Sequence, residues 1–177
     1  MEQLNFHREL VERCIEGDRS AQYNLYRMYS KGMYNICLRM IDNSTEAEDV
    51  LQESFIDVYR KLHTYKFEST PGAWIKRIVI NNCINKLRKK KLHIEEIEEG
   101  RYIAEDLVEK EDYRFEVKKI KRAVSALPDG YRAIFSLYAM EGYDHQEIGQ
   151  IMNISESTSK SQYSRAKKKI RELISSY

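Results

Sequence analysis

The sequence predicts an all-α protein in which two small helical domains are joined by an acidic linker. Apolar residues recur at helical spacing along most of the 177 residues, and no run of alternating β-branched residues is present. The two prolines, Pro71 and Pro128, each stand where a helix can begin. Charge is segregated, so that a net charge of +2 conceals separate acidic and basic segments. We therefore expect domains over 1–94 and 115–177, with the linker over 95–114.

The chain begins with two helices that we interpret as core and support, without assigning chemistry to them. The first closes at Gly17, and the second opens at Asp18 or Ser20. The apolar residues of the first are Phe6, Leu10, Val11, Cys14 and Ile15. Those of the second are Leu25, Met28, Tyr29, Met33, Ile36, Cys37 and Met40.

The third helix is expected to open with a capping box formed by Thr45 and Glu48. Its buried stripe comprises Ala47, Val50, Leu51, Ser54, Phe55, Val58 and Leu62. The opposite stripe comprises Asp49, Gln52, Glu53, Ile56, Asp57 and Arg60. This stripe is either a solvated helix face or a docking surface for a partner with basic residues, because an exposed isoleucine among acids favours a covered surface.

A loop over 63–72 leads into the fourth helix, with Thr70 as its cap and Pro71 as its first residue. The simplest reading of Tyr65 and Phe67 in this loop is that they fold back onto the core.

The fourth helix, over 73–91, has a polar face that fits unpaired bases. Its buried side comprises Ile75, Val79, Ile80, Cys83, Ile84 and Leu87. The opposite side comprises Trp74, Arg77, Asn81, Asn85 and Arg88, with Asn82 and Lys89 at its flank. Asparagine costs a few tenths of a kcal/mol in a helix, so three within five positions indicate that the amides are used. An aromatic plane, amides and cations suit stacking, base edges and phosphates. The alternative is a partly buried core tryptophan beside solvent-facing asparagines.

A basic cluster ends that helix, and the sign of the charge then reverses. Between Glu95 and Asp112 nine acids face two basic residues. Such a segment repels itself and builds no core, so it is predicted to be a linker. The alternative is that it imitates nucleic acid and occupies a basic channel of a partner.

Two further helices are expected to pack under the C-terminal end of the chain. The first is stopped at 128–130, and the second is closed by Gly142. The apolar residues of the first are Val117, Ile120, Val124 and Leu127, and those of the second are Ile134, Phe135, Leu137, Tyr138 and Met140.

The stretch 144–171 predicts a helix-turn-helix. Asp144 and Glu147 are spaced as a capping pair, Asn153 tolerates a left-handed turn, and Ser155 can cap the second helix. The apolar side of the second helix comprises Tyr163, Ala166, Ile170 and Leu173, and the outward side comprises Ser157, Lys160, Ser161, Ser164 and Lys168. A small, basic outward side suits entry into a DNA major groove. The alternative is an amphipathic helix with a solvated face. DNA binding is favoured because no acid interrupts Lys160, Arg165, Lys167, Lys168, Lys169 and Arg171.

Several classes of site are not expected. Cys14, Cys37 and Cys83 lie inside apolar helical patterns, which favours buried free thiols in a reducing cytosol over disulfides or metal ligands. The histidines, His7, His63, His93 and His145, share no ligand spacing with them. No glycine-rich phosphate loop, catalytic carboxylate pair or nucleophile with its base is present, so no cofactor and no enzyme activity are predicted. No apolar run reaches the ~18–20 residues of a membrane span.

From Glu46 onward the sequence resembles bacterial RNA polymerase sigma factors of the compact extracytoplasmic-function (ECF) group. The stretches that carry the resemblance are EAEDVLQESFIDVY, TPGAWIKRIVINNCINKLRKKK and LPDGYRAIFSLYAMEGYDHQEIGQIMNISESTSKSQYSRAKKKIREL. It implies a non-catalytic promoter-specificity subunit that binds core RNA polymerase and helps to open promoter DNA. It further implies a second polymerase contact through the C-terminal domain, and an anti-sigma factor as a further partner.

By position, the resemblance assigns three surfaces. The surface for the clamp helices of the polymerase's largest subunit comprises Asp49, Gln52, Glu53, Ile56 and Asp57. The surface for the melted downstream element comprises Tyr65, Phe67, Trp74, Arg77, Asn81, Asn82, Asn85, Arg88 and Lys89. The reader of the upstream duplex comprises Ser157, Thr158, Lys160, Ser161, Ser164, Arg165 and Lys168. Two residues depart from the family pattern: Gln162 replaces an arginine, and Asn85 stands near an expected aspartate. The competing hypothesis is a stand-alone regulator that binds operator DNA as a dimer.

Overall fold

The computed structural model describes residues 2–94 and 113–175 of the chain. Within these ranges every regular element is a helix, which confirms the all-α prediction. The α-helices are α1 (Glu2–Ile15), α2 (Arg19–Ile41), α3 (Ser44–Lys61), α4 (Pro71–Ile94), α5 (Tyr113–Ser125), α6 (Asp129–Phe135), α7 (His145–Met152) and α8 (Glu156–Ser175). A 3₁₀-helix spans Leu62–Thr64 and a π-helical turn spans Ser136–Met140.

The chain forms two compact units, Met1–Lys86 and Leu87–Tyr177. The division falls inside α4, so the domain limits 1–94, 95–114 and 115–177 remain predictions. The acidic segment over 95–112 lies outside the described residues.

Local caps set the ends of the helices in the first unit. Asp18 accepts hydrogen bonds from the amides of Ser20 (2.8 Å) and Ala21 (3.2 Å), which confirms it as the cap of α2. The expected capping box at Thr45 is wrong. Asn43 caps α3 instead, since its extended backbone lets its side chain accept a bond from the Glu46 amide at 2.9 Å.

The core of the first unit largely follows the predicted apolar stripes, although Ile15 of α1 is 46% exposed and Tyr29 of α2 is only half-buried. The predicted buried stripe of α3 is buried, and so are Ile75, Val79, Ile80, Cys83 and Ile84 of α4. Met28 of α2 is 43% exposed, because the buried side of that helix runs through Leu25, Met33 and Ile36.

The three cysteines are buried and free, as the sequence predicted. Burial raises the pKa of the Cys14 thiol to about 11. A hydrogen bond with the Cys37 thiol, reinforced by burial, raises the pKa of Cys83. The thiols of Cys14 and Cys83 therefore stay protonated, and all three buried cysteines act as apolar packing groups. In the described part of the chain no cluster of side chains suits a metal ion, and no helix is long and apolar enough to span a membrane.

The second unit packs α5 and α6 against α8. Its buried cluster comprises Ala123, Val124, Leu127, Ala166 and Ile170, with Tyr131, Phe135, Leu173 and Ile174 against it. Val117 and Ile120 share the apolar pattern of α5 but are 39% and 44% exposed.

The helix predicted through Met140 changes pitch after Phe135. There the amide of Glu141 bonds to the carbonyl of Ser136, which is the i→i+5 pattern of a π-helix. Gly142 follows with φ +78, so the predicted end of this helix is confirmed.

Candidate nucleic-acid and polymerase interfaces

The polar face of α4 is open to solvent. Arg77, Asn81, Asn85, Arg88 and Lys89 are exposed, and Trp74 is half-buried at the start of the helix. The exposed amides of Asn81 and Asn85, on two successive turns, can reach base edges, while the cations beside them can reach phosphates.

An aromatic group extends from Trp74 into the preceding loop. The ring centroid of Tyr65 lies 5.3 Å from that of Trp74 and 4.7 Å from that of Phe67. Tyr65 is 6% exposed and its hydroxyl donates to the carbonyl of Ser69, so this ring supports the loop from inside. Phe67 is half-buried with φ +59, a rare conformation for a bulky residue, and the Arg8 guanidinium lies 4.7 Å from its ring. Only Trp74 and Phe67 of this group retain surface that a base could stack on.

Asn82 is placed differently from its neighbours. Its side-chain amide donates to the Ser54 hydroxyl and to the Asp57 carboxylate, both at 3.2 Å. Asp57 also pairs with Lys61 at 3.5 Å. These two predicted site residues therefore link α4 to α3, and the Asn82 amide nitrogen and one Asp57 carboxylate oxygen already have partners.

The predicted polymerase stripe of α3 remains exposed along Asp49, Gln52, Glu53 and Ile56, the last at 51%. A groove between α2 and α3 runs beside it and is lined by Tyr26, Tyr34, Glu48, Leu51 and Gln52. The contribution of α2 was not predicted from the sequence. The available signal was Tyr26 and Tyr34, two tyrosines about two helical turns apart, and Tyr26 is 37% exposed in the structure.

The helix-turn-helix has the predicted local geometry. The Glu147 amide donates to Asp144, and the Asp144 amide donates to the Glu147 carboxylate, each at 2.8 Å. Asn153 adopts φ +54. Ser155 accepts a bond from the Thr158 amide at 3.0 Å and caps α8. All these sequence-based predictions are confirmed.

Gly149 makes the tight turn between α7 and α8 possible. A Cβ atom built on it would lie 2.8 Å from the carbonyl oxygen of Ile154. We expect Gly149→Val to destabilise the second unit by roughly 1–3 kcal/mol, because the backbone oxygen has to move away. The measurement is urea unfolding followed by circular dichroism. The matched control is Gly32→Val on α2, where nothing lies within 4 Å. Equal midpoints for the two variants would contradict this account of the turn.

The outward side of α8 is exposed at Ser157, Lys160, Ser161, Ser164, Arg165 and Lys168, while Thr158 is half-buried. No acid lies within the run of cations over 160–171, as the sequence analysis noted, but an acid flanks it at each end. Glu156 pairs with Lys160 at 2.6 Å, which raises the pKa of that lysine, and Glu172 lies 3.8 Å from Lys169.

Gln162 is half-buried and lies beside Gly130 of α6. This departure from the family pattern therefore lies at the edge of the outward side.

His145 and Ser159 form a contact that the sequence analysis did not find. The Nδ1 atom of His145 lies 3.0 Å from the hydroxyl of Ser159, which is fully buried. The imidazole stacks on Tyr138 with a centroid distance of 4.4 Å. The available signal was a serine on the buried side of α8, where the helical pattern alone would call for an apolar residue.

Comparison with known proteins bears on both units. Residues 25–93 match the family model for Sigma-70 region 2, and residues 118–170 match that for Sigma-70, region 4. The ECF RNA polymerase sigma factor SigM of Bacillus subtilis is 31% identical over 158 residues, which cover 84% of this chain and 92% of SigM. The chain belongs to the ECF group of RNA polymerase sigma factors.

Other relatives of this sigma factor agree with that assignment. The ECF sigma factor SigM of Mycobacterium tuberculosis is 26% identical over 166 residues, covering 94% of this chain and 83% of that protein. Among solved structures, the sigma factor RpoE of Bartonella quintana, in complex with the anti-sigma factor NepR, has the same fold. The TM-score is 0.60 at 20% identity, over 85% of this chain and 94% of RpoE. The family predicted from the sequence is confirmed.

Proposed function

We propose that this sigma factor divides promoter recognition among three surfaces. The exposed stripe of α3 binds the clamp helices of core RNA polymerase, the polar face of α4 captures the melted downstream strand, and α8 reads the upstream duplex. The protein acts by binding and not by catalysis, and it does so in the cytoplasm, where its polymerase works. The observation that supports this division is that the exposed amides of α4 and the exposed serines of α8 belong to separate Sigma-70 regions.

The charged and apolar side chains exposed on α3 support its assignment as the polymerase-binding surface. Asp49 and Glu53 offer charge to a basic partner, and Ile56 offers an apolar anchor that is 51% exposed without one. A buried apolar anchor inside a charged rim is the usual composition of a protein interface. Asp57 contributes less directly, since it is already bonded to Asn82 and Lys61.

The melted-strand surface combines a ring with exposed amides. Trp74 has one side against Tyr65 and keeps part of its surface exposed. Asn81 and Asn85 follow on successive turns of the same face, next to Arg88. Single-stranded bases stack on such rings and offer their edges to such amides.

The direct test is in vitro transcription on fragmented DNA from the native genome. Core polymerase with this protein should start RNA at a set of sites that share an upstream and a downstream element. Core polymerase alone should not start there. The absence of any protein-dependent start site would refute the proposal. A gel shift with the isolated protein separates it from the operator-binding regulator, which would bind palindromic duplex without polymerase.

Lys168 supplies a test of the upstream surface. We expect Lys168→Ala to weaken binding of the holoenzyme to the upstream duplex and to make the slope of log K against log salt shallower by about 0.9, because one phosphate contact is lost. The matched control is Lys31→Ala, an exposed lysine of α2. A slope that stays the same in the Lys168 variant would remove this residue from the interface.

An anti-sigma factor is a further proposed partner. Support comes from RpoE of Bartonella quintana, which shares the fold and was solved with the anti-sigma factor NepR. Affinity purification of the protein from its native cell, followed by mass spectrometry, would identify such a partner beside polymerase subunits.

A further inference from the structure

We propose that His145 is a positioning residue for recognition of the upstream element: through Ser159 it holds α8 at the angle at which its outward side chains meet base edges. The proposal rests on the proposed function of α8 as the reader of the upstream duplex. It concerns a residue outside the outward side, which acts on DNA only through another side chain.

The hydrogen bond joins the two helices of the helix-turn-helix near their starts. His145 is the first residue of α7, and Ser159 lies in the first turns of α8. Nδ1 and the hydroxyl oxygen are 3.0 Å apart. Ser159 is completely buried, while Thr158 and Lys160 on either side of it belong to the proposed reader. The bond therefore reaches α8 directly behind the side chains that face DNA.

The imidazole is itself held in place by aromatic rings. It stacks on Tyr138 of the π-helical turn, with an interplanar angle of 17°. Tyr163, one turn after Ser159 on α8, lies 5.7 Å from His145 and 4.5 Å from Tyr138. The Lys167 ammonium lies 4.7 Å from the ring of Tyr163. His145 of α7 thus contacts both the π-helical turn and α8, and through these contacts it orients α8 against α7.

Such a device acts on specificity more than on general affinity for DNA. Hydrogen bonds to base edges weaken steeply once donor and acceptor leave a narrow range of distance and angle. Phosphate contacts of long lysine and arginine side chains tolerate a small rotation of the helix, because these side chains are flexible. Loss of the His145–Ser159 bond should therefore reduce the preference for the correct element while general binding persists.

The test uses the assembled holoenzyme on two templates: a promoter mapped in the transcription experiment and the same promoter with its upstream element scrambled. The readout is the ratio of transcripts from the matched and scrambled templates. His145→Phe keeps a ring beside Tyr138 but removes the bond, and Ser159→Ala removes it from the other side. Each is expected to lower the ratio about five-fold or more, since one specific contact to a base edge carries about 1–3 kcal/mol of discrimination. Transcription from the scrambled template should stay unchanged.

Two further variants distinguish positioning from simple stability. His145→Asn places an amide near the position of Nδ1 and should retain most of the ratio. The double variant His145→Phe with Ser159→Ala removes both partners, so its melting midpoint should recover while its ratio stays low. An unchanged ratio in both single variants, or a ratio that recovers together with the midpoint, would overturn the proposal. If wild-type holoenzyme finds no start site, the proposed function fails instead.

Discussion

Replacing Trp74 and Asn81 together by alanine is expected to impair promoter opening far more than binding to closed duplex. Trp74 presents a ring at the start of α4, and Asn81 presents an exposed amide two turns later on the same face. Stacking contributes about 1–3 kcal/mol per base, so loss of one stacked base should reduce the open complex roughly 5- to 150-fold. The measurements are permanganate reactivity of melted thymines for opening and a gel shift of the holoenzyme for duplex binding.

Two controls accompany this prediction. Trp74→Phe retains an aromatic plane beside Tyr65 and should keep most of the opening. Asn35→Ala removes an exposed asparagine from α2 and should leave opening unchanged. An equal loss of opening and duplex binding in the double variant would contradict the assignment of the melted strand to α4.

Replacing Arg132 by alanine is expected to destabilise the second unit by roughly 3–5 kcal/mol, because a buried guanidinium and all the hydrogen bonds that it donates are lost together. Arg132 is 3% exposed. Its guanidinium donates to the carbonyls of Ser125 (3.1 Å) and Leu127 (2.7 Å) and to the carboxylate of Asp129 (2.5 Å). These carbonyls lie at the last residue of α5 and two residues beyond it; both would lose this donor, and the space of the side chain would be left empty. Urea unfolding of the full chain measures the change.

Arg171→Ala on the exposed side of α8 is the matched control, and it should change stability by no more than about 0.5 kcal/mol. Arg132→Lys keeps the charge but not the fork of donors, so its stability should fall between that of the wild type and that of the alanine variant. A loss below about 1 kcal/mol for Arg132→Ala would show that water replaces the guanidinium at these carbonyls.

The sequence predicted the features of the site that depend on neighbours a few positions apart. The capping pair of Asp144 and Glu147, the left-handed Asn153 and the cap at Ser155 are all local, and the structure has each of them. The exposed polar side of α4 followed from its helical period. The capping box at Thr45 failed on equally local grounds, because Asn43 competes for the same role two positions earlier.

Contacts between helices could not be read from the sequence. Asn82 is the same residue type as Asn81 and was placed at the flank of the same polar side, yet it bonds to Asp57, 25 positions away on α3. Nothing in the sequence pattern singled out Arg132, which is buried and bonded to the carbonyl of Leu127 just beyond α5. The periodicity of apolar and polar residues predicts on which side of a helix a residue lies. Whether that side faces solvent or another helix depends on how the helices pack.

By itself, then, the sequence determined the all-α class, the helix-turn-helix, the family and the three candidate surfaces, because these follow from short-range hydrogen bonding, helical periodicity and motif order. The tertiary structure alone decided which polar side chains stay available to a partner. Asn81 stays exposed while Asn82 does not, and Ser159 meets His145 while Ser161 faces solvent. The physical reason is that a polar group buried by helix packing has to find its hydrogen-bond partner inside the protein, and that partner then fixes its role.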